Sequence, residues 1–528
     1  MTRCRRALLA CALAAWVCAC PFVEIAAGDD PAAAPPATLR QIALLLEGDH
    51  VDAAGVEIDV ALREHPSDPA LHNYAGIVHA QRGVVDRAES HFEKAIRLAP
   101  RSPAAYENLG RLYQEHAAAV PDAARRALDV YERLLGVDPG NIEGLYQRAF
   151  LLALQGRFAE SHAHAARLPD AVRRSSQVLA LAAVALAGVG DVKGAAEAVD
   201  ALARTPEFAP EDVRSMAPAF VHLPGSEVPR QLLELLDRGG MAAPGDLQSL
   251  GELYARAGRF GEARAALERA SAGGATVPLL VELARTAVKL ADHKGALGYL
   301  AHARALEPEN ASVQFLFGMV CVELNLGAEA YESLRRAVRL SPDDPLINYA
   351  MGAVAMTRRE PGESVPYLEK YTRLVPDDIR GRFALGAAHF YGNDFAAARP
   401  YLEQAARHAQ TEAGARYFLA RMARQTHDLD TARREIDASL RANPALADAW
   451  AELGLLQTRA GEYEEAERSL AKALAIDPGN YPATVNLATL FARTRDPRRE
   501  AQAARLGELQ EKRAARAQEF LRMIEVVP

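Results

Sequence analysis

Prolines recur along this chain at a fixed interval, and that interval constrains the fold more than any other feature. Pro66, Pro100, Pro139, Pro308, Pro342, Pro376, Pro444 and Pro478 follow one another at 34 or 68 residues, apart from one gap of 39 and one of 169. The gap of 39 marks an insertion near Ala117 to Pro121, and 169 is five intervals less one residue. Between the prolines, two other slots keep the same register. One holds Gly76, Gly110, Gly251, Gly318, Gly352, Gly386 and Gly454; the other holds Ala54, Ala88, Ala127, Ala195, Ala263, Ala296, Ala330, Ala398, Ala432 and Ala466. A shared register of this length specifies one small structural unit used many times.

The clearest copy is 447–480. Trp450, Leu453, Gly454 and Gln457 fall three and four apart, so they share one helix face. Gly461 ends that helix. Ala466, Leu470 and Ala473 mark the face of a second helix, and Pro478 closes the unit because proline cannot continue a helix. Gly454 and Ala466 have almost no side chain and let the two helices cross closely. With Trp450, Leu453, Gly454, Ala466, Leu470, Ala473 and Pro478 at these spacings, the unit resembles the tetratricopeptide repeat. Gln457 departs from it, standing where that family usually has tyrosine.

The register predicts about fourteen repeats, beginning at 35, 69, 103, 142, 176, 210, 244, 277, 311, 345, 379, 413, 447 and 481. Asp68-Pro69, Ser102-Pro103 and Asp344-Pro345 place a capping side chain before a proline in the first helical turn. The expected fold is all-α: a right-handed superhelical solenoid of helix-turn-helix repeats, closed by a C-terminal capping helix at 498–526. That helix carries Leu506, Leu509, Phe520, Leu521 and Ile524 on its apolar side. The repeats at 142 and 176 lose the closing proline. The repeat at 210 has Pro218 inside its first helix, a position that costs about 3 kcal/mol. An irregular segment is therefore expected at 206–243, between repeat blocks at 35–205 and 244–515.

The N-terminus reads as an export signal. Arg3, Arg5 and Arg6 precede an uncharged, mostly apolar run from Ala7 to Cys20, shorter than the roughly 20 residues a spanning helix needs. Two cleavage readings stand side by side. Val17-Cys18-Ala19-Cys20 looks like a bacterial lipobox with Cys20 as the lipidated residue; Ile25-Ala26-Ala27-Gly28 offers ordinary cleavage after Ala27 or Gly28, giving a signal peptide at 1–27. Residues 28–36 (GDDPAAAPP) read as an extended linker. The expected location is outside the cytoplasm, periplasmic or held to the envelope by lipid.

Beyond residue 27 there are 58 basic and 68 acidic residues, a net charge of −10 that gives no support for nucleic-acid binding. Only Cys321 lies outside the first twenty residues, so the body can form neither an internal disulfide nor a cysteine metal site. There is no phosphate loop, HExxH or G-x-S-x-G. His162 and His164 fall on different helix faces; His72 and His79 share a face but sit roughly 10 Å apart, too far to share a metal without a third element. With repeats occupying nearly the whole chain, no separate catalytic domain fits. Neither catalysis, a cofactor nor a metal is expected.

The resemblance implies a concave groove lined by the first helices, where extended peptides bind. The groove-facing slots, read back from Asp448, Ala451, Leu455 and Thr458, give Phe315, Tyr349, Phe383 and Tyr417 at intervals of 34, joined by Met319, Leu346, Met356 and Phe390. Arg380, Arg421 and Arg424 fall in the same slots. The expected wall is apolar and aromatic, suited to a protein segment with apolar side chains and an acidic group. Aromatic rings also stack on sugars, so a glycan is a second ligand class. One subset of the family binds acidic tails through a Lys, Asn and Arg clamp; Asn73 and Asn108 are present here, but their basic partners are not in the required slots. The expected function is a non-catalytic scaffold for protein partners. The alternative is a component of an envelope machine for polysaccharide or protein export, touching the membrane only through an N-terminal lipid.

Overall fold

The computed structural model describes residues 33–206, 208–357 and 361–511. The signal, Cys20, both cleavage sites and the distal part of the expected cap, from 512 on, lie outside the described residues. Those residues form 29 α-helices and one 3-10 helix, with no strand among them. First helices begin at Pro36, Pro69, Pro103, Ile142, Ser176, Pro210, Pro244, Val277, Ala311, Pro345, Ile379, Glu412, Ala447 and Tyr481. The chain forms two compact bodies, one ending at Leu250 and one beginning at Gly251. Each is an α-solenoid of helical hairpins.

The crossing within a hairpin explains the glycine and alanine slots. A Cβ added to Gly454 would stand 2.5 Å from Leu470 Cγ, and one on Gly352 2.6 Å from Leu368 Cγ. At Gly76 and Gly110 the rings of Phe92 and Tyr131 fill that space, 2.4 Å from the same point. The alanine slot is buried throughout; Ser161 and Ser364, fully buried, hold it in the repeats at 142 and 345. Leu, Phe or Tyr thus fills the pocket that glycine leaves, and close packing makes each such site sensitive to one extra methyl group.

Helix starts are set by short polar side chains. Asp68, Asn141, Asn310 and Asn480 cap first helices by accepting a backbone N–H, and Asp191, Asp292, Asp394 and Asp428 cap second helices in the same way. Asp344 accepts from the Ile347 N–H at 3.1 Å. Ser102 makes no capping bond, contrary to expectation, and its helix starts on Pro103 alone. A second device ties most closing prolines to the next repeat. The proline carbonyl accepts from the side chain six residues on: Tyr106 to Pro100 at 3.1 Å, Gln314 to Pro308 at 2.9 Å, Asn348 to Pro342 at 2.7 Å and Trp450 to Pro444 at 2.8 Å. Trp450 is therefore only half-buried, with the Lys472 ammonium 3.9 Å above its ring. Gln457, in the tyrosine slot, is buried with Oε1 unpartnered.

The residue between the two helices adopts a left-handed backbone in repeat after repeat. Gly83, Gly156, Gly190, Gly258 and Gly461 do so freely, and Asn325 and Asn393 tolerate it. Ala291 does so at φ 57° on an exposed turn, where its Cβ crowds the following carbonyl. Ala291→Gly is expected to raise stability by about 1 kcal/mol, read as a melting point higher by about 2–4 °C. An unchanged or lower melting point would show that the turn carries no such strain.

In the first body the segment after residue 206 departs from the hairpin pattern. The helix from Pro210 ends at Arg214, a 3-10 helix spans Ala217–His222 around Pro218, and Val228–Arg238 follows. The His222 ring packs over the Gly156 turn. At the other end of the chain, Arg499–Glu511 packs on Tyr481–Thr494 as a second helix does. Gln502, buried, donates to the Thr484 carbonyl at 3.2 Å, and Arg505 to Pro478 at 2.9 Å.

Candidate functional site

First helices of successive repeats touch directly. In the second body Ala311–Glu323, Pro345–Thr357, Ile379–Tyr391 and Glu412–Gln425 meet in sequence, whereas no second helix there makes comparable contact with the next second helix among the described residues. The first-helix side is the more tightly drawn one and presents a continuous wall.

The residues expected to line that wall sit on it unequally. Met319, Tyr349, Phe383, Phe390 and Tyr417 are buried, and Met356 is buried to 9% exposure. Phe315 is half-buried, and Leu346 is exposed. The aromatic stripe is thus largely engaged in packing between repeats, with little of its ring surface open. The reason lies in the neighbouring repeat. The Phe383 ring faces Gly414, whose missing Cβ would lie 2.8 Å from the ring tip, and stands 5.9 Å from the Phe418 ring. Tyr349 packs on Tyr371 at 4.8 Å, and Tyr371 in turn fills the space beside Gly381. Glycines at 381 and 414 leave room that large rings from the preceding repeat occupy.

The three arginines differ in their partners. Arg380 pairs with Asp378 at 2.8 Å, and Asp378 also accepts from the Tyr371 hydroxyl. Burial opposes the charge on Asp378, but the bonds from Arg380 and Tyr371 hold its carboxyl below the usual range. Arg424 pairs with Glu452, which is buried to 7% exposure. Arg421 has no carboxylate at ion-pair distance among the described residues. Its guanidinium carbon lies 4.8 Å from the Phe390 ring, 5.4 Å from Tyr417 and 6.0 Å from Tyr391, and Nη1 reaches the Tyr417 hydroxyl at 3.4 Å. Burial opposes its charge, yet Tyr417, Tyr391 and the more distant Glu452 keep its pKa above the ordinary value. Tyr391, one residue past the Phe390 slot and absent from the expected set, is 43% exposed and forms the open edge of this cradle. A cation surrounded by ring faces is what the cation–π attraction favours.

In the first body the sequence paired His72 with His79 and missed His91, on the second helix of the same hairpin. The His91 ring lies 5.3 Å from each of the other two. His72 Nε2 is 3.0 Å from the Pro66 carbonyl, which can only accept, so neutral His72 carries its proton there. Its Nδ1 then accepts from His91 Nδ1, 3.0 Å away. Among the described residues no three donors converge as a metal site. Burial lowers all three pKa values from 6.5, His91 to about 4, with Lys94, Arg87 and Arg82 adding to the effect and Asp59 and Asp68 opposing it. A depressed folded pKa means that unfolding takes up protons, so this stabilisation is full above pH 6.5 and is lost as pH falls toward 4. The melting point of the protein is expected to fall across that window, and His91→Gln is expected to flatten the fall. Parallel profiles for the two proteins would exclude the cluster as its source.

Of the early polar residues, Asn108 Nδ2 donates to Asn73 Oδ1 at 3.0 Å, so the two asparagines bond to each other across adjacent first helices. The His164 ring accepts from Arg148 Nε at 3.0 Å. Cys321 is buried, and desolvation pushes its thiol up to about 11, where it is unreactive. No helix among the described residues is long and apolar enough to cross a membrane.

The sequence matches the tetratricopeptide repeat over 447–480, and a second model of the same description over 75–134, 281–345 and 383–445. No curated protein matches the chain. Among solved structures, it is similar to yeast Tom70 at 16% identity, covering 87% of this chain and 96% of that one with a TM-score of 0.37. MamA is similar at 21% identity, over 31% of this chain and 90% of that one, TM-score 0.30. The Pseudomonas aeruginosa protein pilF is similar at 22% identity, over 39% and 94%, TM-score 0.34. Four matched stretches, each falling on helical hairpins in one register with glycine, alanine and proline in their slots, identify the chain as a tetratricopeptide repeat protein, of the class whose folds serve as protein-interaction scaffolds.

Proposed function

We propose that this protein is an exported, non-catalytic scaffold that holds an extended segment of a protein partner against the first-helix wall of its second body, between residues 311 and 425. The observation that carries the reading is the wall itself. Four first helices in direct succession present exposed Leu346 and Tyr391, with Phe315, Arg380 and Arg421 half-buried between them. Apolar positions separated by arginines suit an extended chain with alternating apolar and polar side chains. The buried rings of Tyr349, Phe383, Phe390 and Tyr417 hold the wall rigid, and a rigid wall loses little entropy on binding. They also take most of the aromatic surface away from sugar stacking, so a protein segment is favoured over a glycan. Export is carried by the arginines and apolar run of the first twenty residues, with Cys20 as the lipid acceptor if the lipobox is used. A scaffold outside the cytoplasm fits an envelope assembly or export machine, and that is the setting we favour.

The test is site-specific photo-crosslinking in cells from position 346 or 391, with exposed Val192 in the first body as the control position. A discrete partner captured at 346 and 391 but not at 192 supports the wall. Equal capture at all three, or none, refutes it. Recovery of envelope export or synthase subunits places the protein in such a machine, and a scatter of unrelated soluble proteins argues against that setting. The mass of the mature N-terminus decides between a lipid on Cys20 and cleavage after Ala27 or Gly28.

A further inference from the structure

We infer that Arg421 is the anchor for a single carboxylate on the bound segment, received at the open side of the Phe390, Tyr391 and Tyr417 cradle. This rests on the proposed wall and narrows it to one chemistry. Arg421 is half-buried, with no carboxylate at ion-pair distance among the described residues. The carboxylates nearest in the fold are committed elsewhere: Glu452 to Arg424, and Asp448 to Asn480, whose Nδ2 donates to it at 2.7 Å. Arg380 and Arg424, its neighbours on the wall, each hold an acid of their own. Arg421 is the one cation of the three left without such a partner.

The rings flank the guanidinium and keep water from its faces; part of its N–H edge meets the Tyr417 and Tyr391 hydroxyls, and the remaining N–H groups are left to bond a ligand. A planar, delocalised cation of this kind matches the two oxygens of a carboxylate, and a charge-assisted pair at a partly desolvated site is stronger than at an open surface. The exposed Tyr391 ring beside it offers an apolar contact for the residue next to that carboxylate. Asp448 and Glu452 border the site and disfavour a second acidic group, so the recognised segment carries one acid with apolar neighbours, not an acidic run.

The experiment uses N-acetylated random hexapeptides, made both as free acids and as C-terminal amides, bound to the full-length protein and to Arg421→Gln. The expected result is a set of binders sharing one carboxylate at a fixed place and apolar residues beside it. Selection in the free-acid set alone identifies a chain terminus; selection in both identifies an Asp or Glu side chain. Converting that carboxylate to its amide is expected to weaken binding to the wild-type protein about tenfold, a measurement that needs no variant to fold. Arg421→Gln is expected to lose the acid preference while keeping the apolar one, and Arg421→Lys to recover part of it. Binders without any acid preference, or the same preference in Arg421→Gln, overturn the assignment and leave the wall intact. No binders in either set overturn both.

Discussion

Replacing Tyr349 and Phe383 together by alanine is expected to lower the melting point of the protein by well over about 10 °C. Each ring is buried, to 4% exposure, and each bridges helices that define the stack. Truncating a buried aromatic side chain costs about 3–5 kcal/mol, because transfer energy is lost and a cavity remains. The cavity cannot collapse easily here. Phe383 fills the hollow over Gly414, and Tyr349 buttresses Tyr371, which fills the one beside Gly381, so backbone would have to move to close either space. The two rings lie in adjacent repeats and pack on different partners, Tyr349 on Tyr371 and Phe383 on Phe418, so their costs should add in large part. The loss should be local as well as global. In a linear array each repeat leans mainly on its neighbours, so hydrogen exchange should rise first in the repeats at 345, 379 and 413. Tyr349→Phe and Phe383→Leu keep most of the volume and should cost less than half as much. A double variant that melts within a few degrees of the wild type would restore the stripe to the role of open binding surface.

That contrast shows where the sequence is readable and where it is not. The repeat register is legible because its marks act on the backbone of their own unit. Pro478 stops a helix, Gly461 turns one, and Gly454 admits Leu470 whatever lies beyond. Each does its work within 34 residues, so counting along the chain recovers it. The fate of the groove slots depends on the next repeat. Phe383 is buried because residue 414 is a glycine and residue 418 a phenylalanine, a pairing that no periodicity announces. Arg421 and Arg424 occupy two wall slots one turn apart on one helix, yet only Arg424 pairs with a glutamate, because position 452 of the following repeat is acidic and lies beside it. The histidine cluster was missed for the same reason: spacing finds His72 and His79 on one helix, whereas His91 reaches them only through the hairpin. Tyr391 could have been found by extending the wall one residue past the Phe390 slot, to the helix end.

The sharpest check on the crossing geometry is a pair of glycine-to-alanine changes with opposite signs. Gly454 and Gly298 both lie within helices, and at either an alanine gains about 1 kcal/mol of intrinsic helix preference. At Gly298 the added methyl group meets nothing within 4 Å and the position is exposed, so Gly298→Ala should stabilise the protein by about 0.5–1 kcal/mol. At Gly454 the methyl would stand 2.5 Å from Leu470 Cγ and 3.1 Å from the Ala466 carbonyl oxygen. Leu470 is fully buried and the carbonyl belongs to the partner helix, so neither can yield without separating the hairpin. Overpacking of this kind costs about 1–3 kcal/mol, enough to cancel the helix preference and leave a net loss; Gly454→Val should lose more. The cause can be isolated with Leu470→Ala. Alone it should destabilise by about 2–5 kcal/mol, but combined with Gly454→Ala the total should fall short of the sum, because the new methyl group partly fills the cavity left by leucine. Strict additivity would mean that the clash with Leu470 is not what keeps glycine in this slot. The same reasoning would then fail for Gly352 against Leu368 and Gly386 against Leu402, which repeat the contact in the wall-bearing repeats.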